Sequence, residues 1–410
     1  SRSRPFWTVA GLMTGVVAWG VGRWVAGRRS GAPRTDPRVT EQPGGQGATP
    51  AQAMSLLTRD NQRIEGRLGR KAASGLTDAL KLLDEATRRK ASDIHIDTVE
   101  DGVRVALRID GKLRPAETVP AEAGVRVMSV LKAAAGIDYA NREESRDGAC
   151  TFLCDDREYD LRVARAWAVN GETIVVRILE PQGQEKSLEE LGMPSEFASE
   201  LRSLMNEQAG LIVVSGPTGS GKTTTQYSLL RSISGRGRAI LTIEDPVEYR
   251  IADATQISIN PKVGSSFATA LKTSMRHDCD IILVGEVRDR ETLDVAFQAA
   301  LTGHLVLTTL HASSIVAVLG RLQQLGLNAF MMGGSLRAII CQRLVRKLCP
   351  DCRQAYVPQP NERRTWGLEE SGGPDTVFFA PSGCEYCDQT GFRGRTAVTH
   401  YVLLDREIRD

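Results

Sequence analysis

The chain has 410 residues, of which 41% are hydrophobic and 25% charged, as is typical of a globular protein with two or three domains. Its net charge of +2 conceals an asymmetry, because residues 1–40 hold seven arginines and one acid, whereas the rest holds 45 bases against 49 acids. A mildly acidic body lacks the basic patch that a broad nucleic-acid-binding face requires, so no nucleic-acid partner is expected.

A charge-free, largely apolar run extends from Pro5 to Gly22. About 20 apolar residues are long enough to cross a bilayer, and tryptophans lie near both ends of the run. Residues 1–29 are therefore a candidate transmembrane segment, and the arginines that follow it predict that the remainder lies in the cytoplasm. A signal peptide or a hydrophobic docking helix would give the same pattern. Residues 30–72 begin with a stretch rich in Gly, Pro, Gln and Thr and are predicted to be a flexible linker.

Residues 73–185 are predicted to form a small α+β domain. Leucines at helical spacing predict an amphipathic helix from about Gly75 to Arg89. Strand-like runs follow at 93–97, 103–109, 159–163 and 173–179, and the dipeptide Asp110-Gly111 predicts a hairpin turn. Residues 186–209 are expected to be a linker that includes a helix, and a second, larger α/β domain is expected to span 210–340.

A phosphate-binding loop opens the larger domain. The apolar run 211–214 predicts a strand buried on both faces, a GxxxxGK[ST] motif follows it at once, and a helix-compatible segment comes next. An unrelated glycine-rich turn is the alternative interpretation. In this context glycines let backbone N–H groups face the phosphates of ATP, a lysine reaches the β- and γ-phosphates, and a hydroxyl binds Mg²⁺. The lysine is Lys222 and the hydroxyl belongs to Thr223. The predicted nucleotide-binding residues are Gly216, Pro217, Thr218, Gly219, Ser220, Gly221, Lys222, Thr223 and Thr224.

Two further apolar runs end in carboxylates, one at Glu244 and the other at Glu286. Residues just past the carboxyl ends of strands line the ligand crevice of an open α/β sheet, so both acids are expected to face the γ-phosphate and Mg²⁺. One is expected to polarise the attacking water while the other holds the metal, and the sequence leaves the assignment open. We expect Thr223 and Glu286 to be the residues that bind Mg²⁺. A third apolar run, 305–310, is flanked by His304 and His311. These histidines are expected either to sense the γ-phosphate or to have only a structural role at the ends of the strand.

Four of the eight cysteines form two Cys-x-x-Cys pairs, Cys349 with Cys352 and Cys384 with Cys387. Two closely spaced pairs supply the four corners of a closed, structural Zn²⁺ site. Thiol exchange is the alternative, since a single such pair also serves redox chemistry. Residues 341–410 are therefore predicted to be a tetracysteine zinc subdomain with a truncated C-terminal region, and we expect the chain to be a fragment.

These motifs together resemble the assembly ATPases of bacterial type II secretion systems and type IV pili. The resemblance rests on the phosphate-binding loop and on six further segments in family order, which are 91–96, 108–111, 242–248, 284–289, 302–311 and 342–346. It implies a RecA-like P-loop NTPase domain that forms a hexameric ring, and it assigns nucleotide contacts to Arg108, Arg162 and Arg276. It also implies a cytoplasmic motor at the inner membrane that works with a platform protein there. Assembly-type members carry a tetracysteine metal subdomain, as this sequence does.

The sequence departs from the family pattern at a few positions. Ala106 and Lys272 stand where the family usually has arginine, and Ala312-Ser313-Ser314 replaces the usual residues after His311. Lysine keeps the charge but loses the bidentate fork that arginine offers phosphate, so a slow motor or a non-catalytic ATP-binding scaffold stays open as an alternative. A ring ATPase that translocates nucleic acid is the other alternative, and the charge balance disfavours it.

Overall fold

The computed structural model of the chain describes residues 54–68, 73–137, 145–179, 186–260, 264–365 and 377–404. These residues fall into two compact units, divided between Glu185 and Lys186. The candidate transmembrane segment at residues 1–29 lies outside the described residues. Within them, no single helix is both long and apolar enough to cross a membrane, although two short helices, Ile315–Gln324 and Ala329–Ser335, pass the same test jointly with a bend of 115° between them.

The first unit is a seven-stranded antiparallel sheet in the order β1-β5-β6-β7-β2-β3-β4, with two helices packed on one face. Its elements are β1 (Ser55–Thr58), a 3-10 turn (Ile64–Arg67), α1 (Leu76–Arg88), β2 (Ala91–Val99), β3 (Gly102–Ile109), β4 (Lys112–Val119), α2 (Ala121–Ala134), β5 (Arg146–Cys154), β6 (Arg157–Ala168) and β7 (Gly171–Leu179).

Strand β3 illustrates why this sheet has one buried and one polar face. Val103, Val105 and Leu107 are buried in the core, whereas Arg104 and Arg108 alternate with them and lie on the opposite face. The predicted helix is confirmed as α1, which is one residue shorter at each end, and the four predicted strands are confirmed with wider bounds. The predicted hairpin turn is also confirmed, since both residues of Asp110-Gly111 have positive φ and join β3 to β4.

The expected linker at residues 30–72 is wrong over residues 54–68, the part of it that the structure describes. Strand β1 pairs with β5 there, and Leu56 and Ile64 are fully buried in the core of the first unit. A four-residue edge strand with few apolar residues carries too weak a periodicity to be recognised from sequence. Its burial depends on the partner strand almost a hundred residues later.

The second unit is a seven-stranded sheet in the order β10-β9-β11-β12-β8-β13-β16, in which only the last pair is antiparallel. Its elements are α3 (Ser195–Leu204), β8 (Gly210–Ser215), α4 (Lys222–Arg231), β9 (Ile240–Glu244), β10 (Ala254–Ser258), α5 (Phe267–Ser274), β11 (Ile281–Val284), α6 (Arg290–Leu301), β12 (Leu305–Leu310), α7 (Ile315–Gln324), α8 (Ala329–Ser335), β13 (Leu336–Leu348), β14 (Gln354–Tyr356), α9 (Pro360–Thr365), β15 (Phe378–Ala380), a 3-10 turn (Glu385–Cys387) and β16 (Phe392–Leu403).

The central strands of this sheet are buried on both faces. Every residue of β8, β11 and β12 is buried, and apolar clusters lie on each side of the sheet. Helices α3 and α4 contribute to one cluster and α5 to α8 to the other. This arrangement confirms the predicted α/β class with helices on both faces of a mostly parallel sheet. Strands β13 and β16 extend the same sheet, so residues 341–410 are not wholly separate from it.

Candidate functional site

The predicted site segments converge on one edge of the parallel sheet. Strands β8, β9, β11 and β12 run in the same direction, so their carboxyl ends meet at that edge. The phosphate-binding loop follows β8, Glu244 is the last residue of β9, Glu286 follows β11 and His311 follows β12. The register places Val284 opposite both Ile243 and Thr308, which brings the last three segments side by side.

The loop after β8 has the backbone that phosphate binding needs. Gly219 and Gly221 have φ of 74° and 85°, a region that suits glycine, and α4 begins directly afterwards at Lys222. The buried Ser220 hydroxyl oxygen has no hydrogen-bond partner among the described residues. A helix N-terminus below a glycine-rich loop presents free N–H groups, so the residues present fit a phosphate group.

The Lys222 ammonium lies over this loop. Its Nζ donates to the carbonyl oxygens of Gly216 at 3.0 Å and Pro217 at 3.2 Å. Burial lowers the pKa of Lys222, and the charge of Glu286 opposes that shift. The lysine and the acid that follows β11 are thus electrostatic neighbours.

Glu286 is the centre of a charged cluster. Its carboxylate pairs with the Arg288 guanidinium, and its Oε2 lies 3.5 Å from Nε2 of His311. The side chain of Glu286 keeps 17% of its surface exposed, and those of Arg288 and His311 keep more than half. A partly exposed carboxylate beside a lysine, an arginine and a histidine remains accessible to a ligand.

Glu244 has a different environment. The residue is only 4% exposed, and its two carboxylate oxygens accept hydrogen bonds from the hydroxyls of Tyr227 and Thr242, each at 2.6 Å. The Gln256 amide adds a longer contact of 3.5 Å. Burial raises the pKa of Glu244, while these donors oppose the rise. The partners of Glu244 are thus buried hydroxyls, whereas the partners of Glu286 are the exposed side chains of Arg288 and His311.

The two predicted histidines lie at opposite ends of β12. His311 contacts Glu286, whereas the His304 ring lies 3.2 Å from the carbonyl oxygen of Ala299 near the end of α6. A six-residue strand separates them by about 20 Å. The structure therefore places His311 beside Glu286, and it places His304 at the other end of the strand.

The predicted arginines are distributed over both units. In the second unit, Arg276 is exposed just after α5, and Lys272 of that helix pairs with Glu291 at 2.7 Å. In the first unit, Arg108 lies 3.6 Å from the Asp93 carboxylate, which also pairs with Arg177.

Arg162 is directly opposite Arg177 in the sheet register, so these side chains share one polar face of the first unit. Ala106 lies on the same face, opposite His95. This face therefore carries Arg108, Arg162 and Arg177 but has no arginine at position 106.

The four cysteines of the two Cys-x-x-Cys pairs meet at the end of the β13–β16 hairpin, with all four sulfurs within 4.8 Å of one another. Individual Sγ–Sγ distances are 3.9 Å between Cys349 and Cys384 and 3.7 Å between Cys352 and Cys387. A tetrahedron of thiolates about 2.3 Å from a metal has edges of about 3.8 Å. The cluster can therefore hold a metal ion without rearrangement.

The pKa values of these thiols also favour binding of a metal cation. Burial works against ionisation of Cys387, but N–H donors from Cys384 and Gly391 and the neighbouring thiols outweigh it and lower its pKa to about 6. Burial raises the pKa of Cys384 to about 12. Four thiolates this close together repel one another, so a bound cation is needed to ionise them all.

Two residues of the site are not predicted from the sequence. Arg288 belongs to the segment 284–289, and the structure shows that it pairs with Glu286. Tyr227 is an aromatic residue in an otherwise polar helix start, a pattern that indicates a buried hydroxyl with a polar partner. Its pairing with Glu244 depends on the contact between α4 and β9, which no local pattern reveals.

The sequence and the fold both have relatives. A family model described as type II/IV secretion system protein matches residues 73–410. The type II secretion system protein E of Dickeya dadantii is 40% identical over 328 residues, which cover 80% of this chain and 65% of that protein. The type IV pilus assembly ATPase PilB of Thermus thermophilus is 38% identical over 329 residues, which cover 80% and 37%. The chain thus spans just under two thirds of the length of the first of these relatives.

Solved structures also resemble this fold, and two of them illustrate the likeness. The pilus retraction motor PilT with bound ADP superimposes with a TM-score of 0.51 at 29% identity, covering 66% of this chain and 79% of that one. The ATPase DotB of Legionella pneumophila gives a TM-score of 0.59 at 22% identity, covering 80% and 81%, and this likeness concerns the fold alone.

Proposed function

The chain belongs to the type II/IV secretion system protein family, and from this premise we propose that it is an ATP-hydrolysing motor subunit that powers assembly of a secretion pseudopilus or a type IV pilus. The observation that carries the proposal is the convergence of the phosphate-binding loop, Glu286 and His311 at the carboxyl edge of one parallel sheet. In open α/β sheets this edge is where nucleotides bind.

The nucleotide is proposed to be bound by the phosphate-binding loop and by several cationic side chains. The loop 216–224 is proposed to bind the phosphates through its N–H groups, with Lys222 on the β- and γ-phosphates and Thr223 on Mg²⁺. When bound, Mg²⁺ neutralises charge on the phosphates. Arg108, Arg162 and Arg276 remain proposed nucleotide contacts, by resemblance to the family.

Of the two acids, we propose that Glu286 acts on the attacking water or the metal and that Glu244 has a structural role, joining the end of β9 to α4 through Tyr227. The partly exposed Glu286 carboxylate neighbours Lys222 and His311. Both oxygens of Glu244 accept internal hydrogen bonds from Tyr227 and Thr242, and releasing either would leave a buried hydroxyl without its partner. His311 is proposed to respond to the γ-phosphate through its contact with Glu286.

The assembled form is proposed to be a homo-hexamer at the cytoplasmic face of the inner membrane. A platform protein there is its proposed partner, and residues 1–29 are the proposed anchor. Two experiments test this proposal against its rivals. Capture of the full chain from membranes should recover a polytopic inner-membrane protein. Added DNA should leave the ATPase rate unchanged, whereas a clear stimulation by DNA would favour a nucleic-acid translocase.

The tetracysteine cluster is proposed to hold a structural Zn²⁺. Metal analysis of the purified chain is expected to find about one Zn²⁺ per chain, because four thiolates with no open position match its preferred coordination. Replacing Cys349 or Cys384 should remove the metal and unfold the region around the cluster, whereas replacing the isolated Cys341 should leave the metal content unchanged. Metal-free protein with an intact fold and a reactive dithiol would contradict the assignment.

A further inference from the structure

Gln342 lies directly beneath the phosphate-binding loop. It is the first residue of β13 beyond the segment paired with β8, since Cys341 is opposite Ser215 and the loop begins at Gly216. The residue is 2% exposed, although glutamine is a polar residue that usually lies at the surface. Its burial therefore calls for partners that satisfy the amide.

Both ends of the Gln342 amide are satisfied by the loop and the first turn of α4. Its Nε2 donates to the carbonyl oxygen of Ser220 at 2.7 Å, and its Oε1 accepts from the Thr225 hydroxyl at 2.7 Å. Thr225 is fully buried. One side chain thus connects the turn just before Lys222 to the helix just after it.

Gln342 also packs closely against two of the glycines in the motif, where a side chain would collide with it. A Cβ at Gly221 would lie 2.8 Å from Nε2 of Gln342, and a Cβ at Gly216 would lie 2.3 Å from its carbonyl oxygen. Such distances are shorter than van der Waals contact, so a side chain at either position would displace Gln342 or the loop. The loop and Gln342 are packed as one unit.

We infer that Gln342 is a positioning residue for nucleotide binding, which holds the loop 216–224 in its phosphate-binding shape before the ligand arrives. This inference rests on the proposed nucleotide site. A loop that is already ordered binds its ligand without the further loss of conformational freedom that a mobile loop would incur. Removing the two hydrogen bonds should therefore weaken nucleotide binding itself, and not only the stability of the fold.

The test compares the affinity of the full chain for MgADP, measured by calorimetry, in the wild type and in two variants. Gln342→Met keeps the length of the side chain and removes both hydrogen bonds, while Thr225→Val keeps the volume and removes one. We expect the Kd for MgADP to rise about tenfold for the first variant and less for the second. Combining them should add little to the effect of Gln342→Met alone, because both act on one connection.

The matched control is Ile340→Val, which shortens another buried residue of β13, one that lies opposite Val214 of β8. It should lower the melting temperature and leave the Kd unchanged. Zinc content and melting temperature identify any variant that fails to fold, and Thr225→Val then provides the test alone. If folded Gln342→Met or Thr225→Val binds MgADP as the wild type does, the inference is wrong. If the wild type itself does not bind MgADP, the proposed nucleotide site fails, and the inference fails with it.

Discussion

Replacing Lys222 by alanine is expected to reduce ATP turnover to the background rate. The ammonium group lies on the carbonyl oxygens of Gly216 and Pro217 and neighbours Glu286, where the β- and γ-phosphates are proposed to bind. Removing a preorganised charge from a site that stabilises phosphate charge costs on the order of 100-fold or more in rate. Phosphate release from MgATP by the full chain measures the effect.

The control for Lys222→Ala is Lys347→Ala, because Lys347 is an exposed lysine of β13 in the same unit. This variant loses the same charge at a distance from the loop and should keep the wild-type rate. Wild-type turnover in Lys222→Ala would show that the loop after β8 is not the phosphate site.

Replacing Glu286 by glutamine is expected to lower kcat by roughly 100-fold while nucleotide binding is retained, as for the loss of a general base or metal-bound acid. Glutamine keeps the size of the side chain but removes the charge that pairs with Arg288 and His311. Single-turnover hydrolysis and the Kd for MgATP, measured on the same preparation, separate the chemical step from binding.

Glu244→Gln is the matched comparison, since it makes the same chemical change in a buried carboxylate. An amide cannot accept both hydrogen bonds that Glu244 accepts from Tyr227 and Thr242, so the variant should lose about 1–3 kcal/mol of stability. Its kcat should fall by less than about tenfold, because neither oxygen is proposed to act on water. If Glu244→Gln lowered kcat more than Glu286→Gln does, the water-activating role would belong to Glu244.

Much of the fold of the second unit is predictable from sequence because its signals are local. The run 211–214, the glycine-rich loop and the helix that follows are adjacent in the chain, and each has a distinct pattern. The same holds for the two Cys-x-x-Cys pairs, whose spacing alone predicts the cluster that the structure forms. Local patterns suffice where the chemistry requires consecutive residues.

The parts that could not be predicted depend on contacts between distant segments. The sequence places Glu244 and Glu286 in equivalent positions after strands, and only the burial of Glu244 against Tyr227 distinguishes them. Gln342 lies 122 positions after Ser220, to which it donates, and no periodicity links the two. Strand β1 is not predicted for the same reason, since its pairing partner is β5.

The central claim is that this chain hydrolyses ATP at the carboxyl edge of its parallel sheet, and steady-state phosphate release by the purified wild-type chain with MgATP tests it most directly. The site geometry predicts Mg²⁺-dependent release that is lost on chelation of Mg²⁺ and in Lys222→Ala. MgATP binding without phosphate release above background, in preparations that retain zinc and the native fold, would contradict the claim and identify the chain as an ATP-binding scaffold.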